Sequence, residues 1–155
     1  MSKIKVGVAG YGTIGQRLAD GVAMQGDMEL VGIADLAPTL SLQALRERDM
    51  IGANDVKYDV YLVDGADEAA FAAKDMPVAG SFEELCKKVD IMLDSSPGGV
   101  GAKNKENYYE KYGVKAIFQG GEQNSVADVF FHGYANFEKG VGQDYLKLTS
   151  CNTTG

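Results

Sequence analysis

With 155 residues, 45% of them apolar and 24% charged, the chain has the balance of one globular domain and needs no disulfides to hold a core. Its net charge of −7 and its lack of any Lys/Arg run longer than Lys87–Lys88 argue against nucleic acid or an anionic membrane surface as a partner. Two cysteines, Cys86 and Cys151, without a CxxC spacing give neither a disulfide framework nor a metal site, and no stretch approaches the roughly 20 apolar residues of a membrane span, so a reduced cytoplasmic setting is expected.

Residues 3–9 (KIKVGVA) read as a short buried strand that ends at glycines. From Thr13 to about Met24, Ile14, Leu18, Val22 and Ala23 recur at helical spacing. Residues 28–34 (MELVGIA) form a second strand, Asp35 follows it, and Pro38 opens a helix to about Arg48. Between Ile51 and Lys74 the pattern is weaker, with a strand at YDVYLV and a short helix at DEAAFAAKD. MPVAG reads as a strand stub. Ser81, with Glu84 three residues on, makes a capping box for a helix through Lys88. VDIMLDSS is an apolar strand ending in an acid, PGG a turn, 101–112 an amphipathic helix and VKAIFQGG another strand. Residues 127–136 and 145–149 read as further strands. Apolar strands alternating with helices, with no repeat or linker, predict one α/β domain over 1–150: a doubly wound, Rossmann-like, mostly parallel sheet with helices on both faces.

Gly10-Tyr11-Gly12-Thr13-Ile14-Gly15 is G-x-G-x-x-G, and it follows a predicted strand and opens a predicted helix. Gly10 suits a tight turn, Gly12 a close approach of backbone to a pyrophosphate, and Gly15 close packing of helix on strand. The N–H groups and dipole of the helix start would hold the phosphates. Asp35 lies 20 residues after Gly15, where its carboxylate can accept from a ribose diol and repel a 2′-phosphate, favouring NAD over NADP. Its alternative role is to cap the next helix.

The turn Asp94-Ser95-Ser96-Pro97-Gly98-Gly99 leaves the strand 89–93 on the same rim of the sheet. Ser95, Ser96 and Pro97 there, and Gly120 in QGGEQN, are candidate cofactor contacts; a plain Pro-Gly turn with a serine cap accounts for the spacing equally well. His132, the only histidine, falls in a strand-like stretch and reads as a strand surface residue rather than a general base. Cys86 sits inside a helix as a small buried side chain. Cys151, in Ser150-Cys151-Asn152-Thr153-Thr154-Gly155, follows the strand YLKL. A thiolate at a strand-to-helix junction is stabilised by the coming helix and can attack an aldehyde carbon, with Asn152 as a donor to the oxyanion. A small buried cysteine in a turn fits the local residues as well.

VGVAGYGTIGQRLADGV, SSPGGVGAKN, IFQGGE and SCNTTG, in this order and at these separations, resemble archaeal-type phosphorylating glyceraldehyde-3-phosphate dehydrogenase. The resemblance covers nearly the whole chain and is weakest over residues 40–75. It implies that Cys151 is the nucleophile, that Asn152 helps shape the site, and that Gly10, Gly12 and Gly15 form the pyrophosphate loop. NADP-using members tend to carry Lys, Ser or Thr where this chain has Asp35, although dual use occurs. The family continues past SCNTTG into a catalytic domain with a base histidine, phosphate-binding groups and most of a homotetramer's contacts, so residues 151–155 read as the start of that segment.

The resemblance thus implies a nucleotide-binding half that binds the dinucleotide but does not turn over glyceraldehyde 3-phosphate and inorganic phosphate by itself. Two rivals remain at this level. One is a non-catalytic dinucleotide-binding module in which Cys151 has no chemical role. The other is part of a different two-domain enzyme, such as a semialdehyde dehydrogenase, for which SCNTTG is a poorer match.

Overall fold

The computed structural model describes residues 2–48 and 58–149. Its strands are β1 (Ile4–Ala9), β2 (Met28–Asp35), β3 (Asp59–Leu62), β4 (Gly80–Ser81), β5 (Ile91–Asp94), β6 (Lys115–Phe118), β7 (Val129–Phe131) and β8 (Tyr145–Leu148). They form one sheet in the order β4-β3-β2-β1-β5-β6-β8-β7, and every neighbouring pair is parallel. The mostly parallel sheet expected from the sequence is thus wholly parallel among the described residues. Parallel neighbours require crossovers, and these are helices: α1 (Thr13–Ala23), α2 (Leu40–Arg48), α3 (Glu68–Ala72), α4 (Phe82–Cys86) and α5 (Val100–Asn104), followed by α6 (Glu110–Tyr112) and α7 (Phe137–Gly140).

Because successive strand residues point to opposite faces, the sheet carries two cores. Val8, Ile33 and Val60 pack with Ala19 and Val22 of α1, Leu42 and Leu45 of α2 and Phe71 of α3. Their strand neighbours Ala9, Ala34 and Tyr61 face the other way, against Phe82, Leu85 and Cys86 of α4 and Tyr109. Helices therefore cover both faces, as the continuous apolar strands predict.

Four local features differ from the expectation. The helix after Pro38 begins at Leu40, and the Thr39 hydroxyl accepts from the Leu42 N–H (3.3 Å) as its cap. The stub at MPVAG shrinks to the two residues of β4, because Met76 turns into the core and Ala79 N–H already donates to Val60 O (2.7 Å). The helix predicted over 101–112 is interrupted by a π-helical turn, Lys105–Tyr109, between α5 and α6. Finally, β7 stops at Phe131. The Asn136 side chain replaces a strand partner there, accepting from His132 N–H (2.8 Å) and donating to Phe130 O (2.9 Å), and this folds 132–136 into a turn before α7. The predicted capping box at Ser81 and Glu84 is formed in full.

Candidate dinucleotide-binding site

The strand order reverses direction between β1 and β5: β2, β3 and β4 lie to one side of β1, and β5, β6, β8 and β7 to the other. In open parallel sheets the crevice beyond the strands' carboxyl ends at this reversal is where ligands bind. Ala9, the last residue of β1, is in register with Ala34 of β2 and with Asp94 of β5. The segments that follow these three strands are therefore brought together: Gly10–Gly15, Asp35–Leu36 and Ser95–Gly99.

The glycines of the first segment are there for different reasons. Gly10 has φ +83°, a conformation that disfavours any side chain. A Cβ on Gly15 would stand 1.9 Å from Gly10 O, so α1 can sit this close to the turn only with glycine at that position. A Cβ on Gly12 would meet no atom of the chain within 4 Å. Packing within the chain explains Gly10 and Gly15 and leaves Gly12 unexplained. Gly12 is also the N-cap of α1, which has no side-chain hydrogen bond at its cap and no acid in its first turn. Thr13 and Ile14 are exposed beside it. The Tyr11 side chain, in contrast, is buried in the core, so this candidate contact offers the loop its backbone only.

Asp35 is drawn against the same loop. Its Oδ2 accepts from Tyr11 N–H (2.8 Å) and its Oδ1 from Leu36 N–H (2.7 Å). The cap of α2 is Thr39, so Asp35 does not take the helix-capping role that its position after a strand allows.

The second segment is built on a buried carboxylate. Asp94 is 1% exposed, and all its partners are neutral: Ser96 N–H (2.9 Å) on Oδ1, and Asn104 Nδ2 (3.0 Å) and the Tyr109 hydroxyl (2.6 Å) on Oδ2. Burial, and next the nearby Asp94 charge, push the Tyr109 phenol well above its ordinary pKa, so it remains the proton donor of that pair. The Ser95 hydroxyl lies 3.0 Å from Ala9 O and 2.7 Å from Gly10 O. Its single proton thus faces the chain, and acceptor capacity is what it retains for a ligand. Ser96 is buried, Pro97 is exposed, and a Cβ on Gly120 would stand 2.1 Å from Ser96 O, so glycine there lets the two rim loops touch. Asp94, Asn104 and Tyr109 were not among the sequence candidates. Only the acid at the end of an apolar strand was a visible signal.

A cleft of about 620 Å³ opens beside this second segment, with Gly98, Lys105, Glu106, Glu110 and Glu122 on its walls. Its carboxylates do not suit a phosphate. The Lys105 ammonium is engaged, donating to Val126 O (2.9 Å) and lying 4.3 Å from the centre of the Tyr145 ring. No cluster of three metal-binding side chains occurs among the described residues, and none of their helices is long and apolar enough to cross a membrane.

The remaining chemistry-bearing residues fall away from the glycine loop. Cys86 is buried in the core, where burial first and the Asp94 charge second push its thiol up to about 12, leaving it protonated and inert at neutral pH. His132 lies just past β7 rather than within a strand, half-buried, and its Nδ1 accepts from Tyr134 N–H (3.3 Å). Cys151 and Asn152 lie outside the described residues.

No protein-family model matches the chain. Known proteins do. Over 155 residues it is 44% identical to glyceraldehyde-3-phosphate dehydrogenase of Archaeoglobus fulgidus, covering 100% of this chain and 43% of that protein. Over 153 residues it is 47% identical to the enzyme of the same name from Thermococcus sibiricus, again covering 43% of it. The chain is homologous to part of a glyceraldehyde-3-phosphate dehydrogenase. It spans less than half the length of these relatives. Among solved structures it resembles apo scyllo-inositol dehydrogenase from Lactobacillus casei, with a TM-score of 0.51 at 18% identity over 76% of this chain and 28% of that one. This likeness bears on the fold alone and agrees with a Rossmann-like domain. The homology to glyceraldehyde-3-phosphate dehydrogenases agrees with the motif resemblance and favours it over a semialdehyde dehydrogenase.

Proposed function

We propose that the chain binds NAD and is the dinucleotide-binding part of a phosphorylating glyceraldehyde-3-phosphate dehydrogenase. The observation that carries this reading is Gly12, a glycine that the chain's own packing does not require, at a helix start with no side-chain cap and no acid in its first turn. Backbone N–H groups of that kind suit an anion, and the absent Cβ allows a pyrophosphate close approach.

In this reading Gly10 to Gly15 hold the pyrophosphate through the backbone, including that of Tyr11, Thr13 and Ile14. Asp35 accepts from the adenosine ribose diol, while Ser95, Ser96, Pro97 and Gly120 line the rim toward the nicotinamide end. The oxygens of Asp35 each hold one backbone N–H in the free chain and keep lone pairs for a ribose. A 2′-phosphate would meet the same carboxylate and be repelled.

The chemistry assigned to Cys151 rests on the motif and the homology. The Cys151 thiolate adds to the aldehyde carbon of glyceraldehyde 3-phosphate, with Asn152 donating to the resulting oxyanion. A bound nicotinamide supplies the hydride acceptor. Loss of hydride from the adduct leaves a thioester, and inorganic phosphate attacks its carbonyl, releasing the acyl phosphate and restoring the thiolate. The 155 residues hold one histidine, His132, placed just past β7. We assign it no catalytic role, and the reading is of binding without turnover by these residues alone. A cytoplasmic homotetramer as the working form belongs to the same proposal.

Calorimetric titration of the 155-residue chain with NAD and NADP tests the reading. NAD should bind more tightly by about tenfold or more, since a like-charge contact with Asp35 has to cost only about 1.4 kcal/mol to give that ratio. Tighter binding of NADP removes the role given to Asp35, and no binding of either removes the dinucleotide reading.

A further inference from the structure

The peptide group between Gly10 and Tyr11 is held at both ends by side chains from other strands. Its carbonyl oxygen lies 2.7 Å from Ser95 Oγ, and its N–H donates to Asp35 Oδ2 at 2.8 Å. Ser95 follows β5 and Asp35 ends β2, so one side chain from each side of β1 fixes this single plane. The same carbonyl faces α1 at Gly15, where a Cβ would stand 1.9 Å from it, and so has little room to turn on that side.

Ser95 is itself held firmly. Its N–H donates to Ala9 O (2.9 Å), and the residue before it is the buried Asp94, tied to Asn104 and Tyr109 from the π-helical turn. A chain of contacts thus runs from that turn through Asp94 and Ser95 to Gly10, across 85 residues of sequence between the last two.

From this we infer that Ser95 is a positioning residue whose hydroxyl clamps the Gly10–Tyr11 peptide and so pre-forms the glycine loop for a pyrophosphate-bearing ligand. This rests on the dinucleotide reading and replaces a direct contact by Ser95 with an indirect one. The physical gain is pre-organisation. A loop already in its bound conformation loses less freedom when a ligand arrives, and an unclamped peptide has to be ordered at that moment.

The test is Ser95→Ala in the 155-residue chain, read in two ways. Without ligand, amide hydrogen exchange at Tyr11 and Gly12 should accelerate about fivefold or more, as expected for one lost hydrogen bond, while Ile33 and Phe118 in the sheet stay as they are. With ligand, the dissociation constant for ADP-ribose should rise about fivefold to tenfold, while that for adenosine, which lacks the pyrophosphate, changes less than about twofold. Unchanged exchange at Tyr11 and Gly12, acceleration at all four amides together, or an equal loss for both ligands overturns the inference. A wild-type chain that binds neither ligand removes the dinucleotide reading and the loop's role with it. A wild type that binds, with a Ser95→Ala variant like it in both measurements, removes this inference alone.

Discussion

Two turns of this molecule look alike in sequence and are opposite in what they leave available. Each follows an apolar parallel strand, each contains a glycine at φ +83° (Gly10 after β1, Gly99 after β5), and each leads into a helix. In the turn after β1 the helix start is bare: there is no side-chain cap at Gly12 and no acid in the first turn. In the turn after β5 the chain's own carboxylates occupy the donors, with Glu122 Oε1 on Gly101 N–H (2.8 Å) and Asp94 Oδ1 on Ser96 N–H (2.9 Å). Helix starts and tight turns leave backbone N–H groups that something has to satisfy. A glycine-rich turn is therefore an anion site only where no acid of the same chain has already taken that position, and by this measure the first turn qualifies and the second does not.

The comparison breaks most severely at Asp94. Asp94→Ala removes the acceptor of three donors, Ser96 N–H, Asn104 Nδ2 and the Tyr109 hydroxyl, in a site that is 1% exposed. Orphaning buried donors costs about 1–3 kcal/mol for each one left without water, so a loss of roughly 3–5 kcal/mol in urea unfolding is expected. A loss below about 1 kcal/mol would mean that the second turn does not depend on its internal carboxylate. The two turns would then differ less than their hydrogen bonds imply.

Gly15→Ala is the next step down. The added methyl would stand 1.9 Å from Gly10 O, a backbone atom, so α1 has to shift away from the turn. Overpacking of this kind costs about 1–3 kcal/mol, and a backbone neighbour places this case toward the upper end. Thermal unfolding reads the loss. A variant as stable as the wild type would show that close contact between helix and turn is not what demands glycine here.

What the sequence revealed followed the range of the interactions involved. β1, α1, β2, β5 and β6 were legible because apolar periodicity is local, and the capping box at Ser81 and Glu84 because both partners lie within one turn. The glycine loop was legible for the same reason, since G-x-G-x-x-G lies between a strand and a helix. The clamp of Ser95 on Gly10 was not, because its partners are 85 residues apart and a serine after a strand looks the same with or without it. Asp94 was visible as an acid ending a strand, but its partners Asn104 and Tyr109 meet it only through the π-helical turn, which the amphipathic pattern of 101–112 does not distinguish from regular helix. β7 stopped short of its predicted length because the Asn136 side chain stands in for a strand partner, a substitution that β-propensity does not register.

The smallest expected change in stability separates the two kinds of glycine within a single turn. Gly12 has φ −75° and ψ −165°, backbone angles open to alanine, and a methyl there meets no atom of the chain within 4 Å. Gly12→Ala should therefore lower stability by no more than about 1 kcal/mol, the difference between glycine and alanine as a helix N-cap. The same methyl projects over the bare start of α1, where a pyrophosphate would approach, so NAD affinity in the calorimetric titration should fall by about tenfold or more, equivalent to at least 1.4 kcal/mol. A protein that keeps its stability and loses its ligand identifies a glycine present for binding, whereas Gly15→Ala identifies one present for packing. If Gly12→Ala is destabilised as much as Gly15→Ala, or binds NAD like the wild type, Gly12 is one more packing glycine, and the bare helix start has no bearing on function.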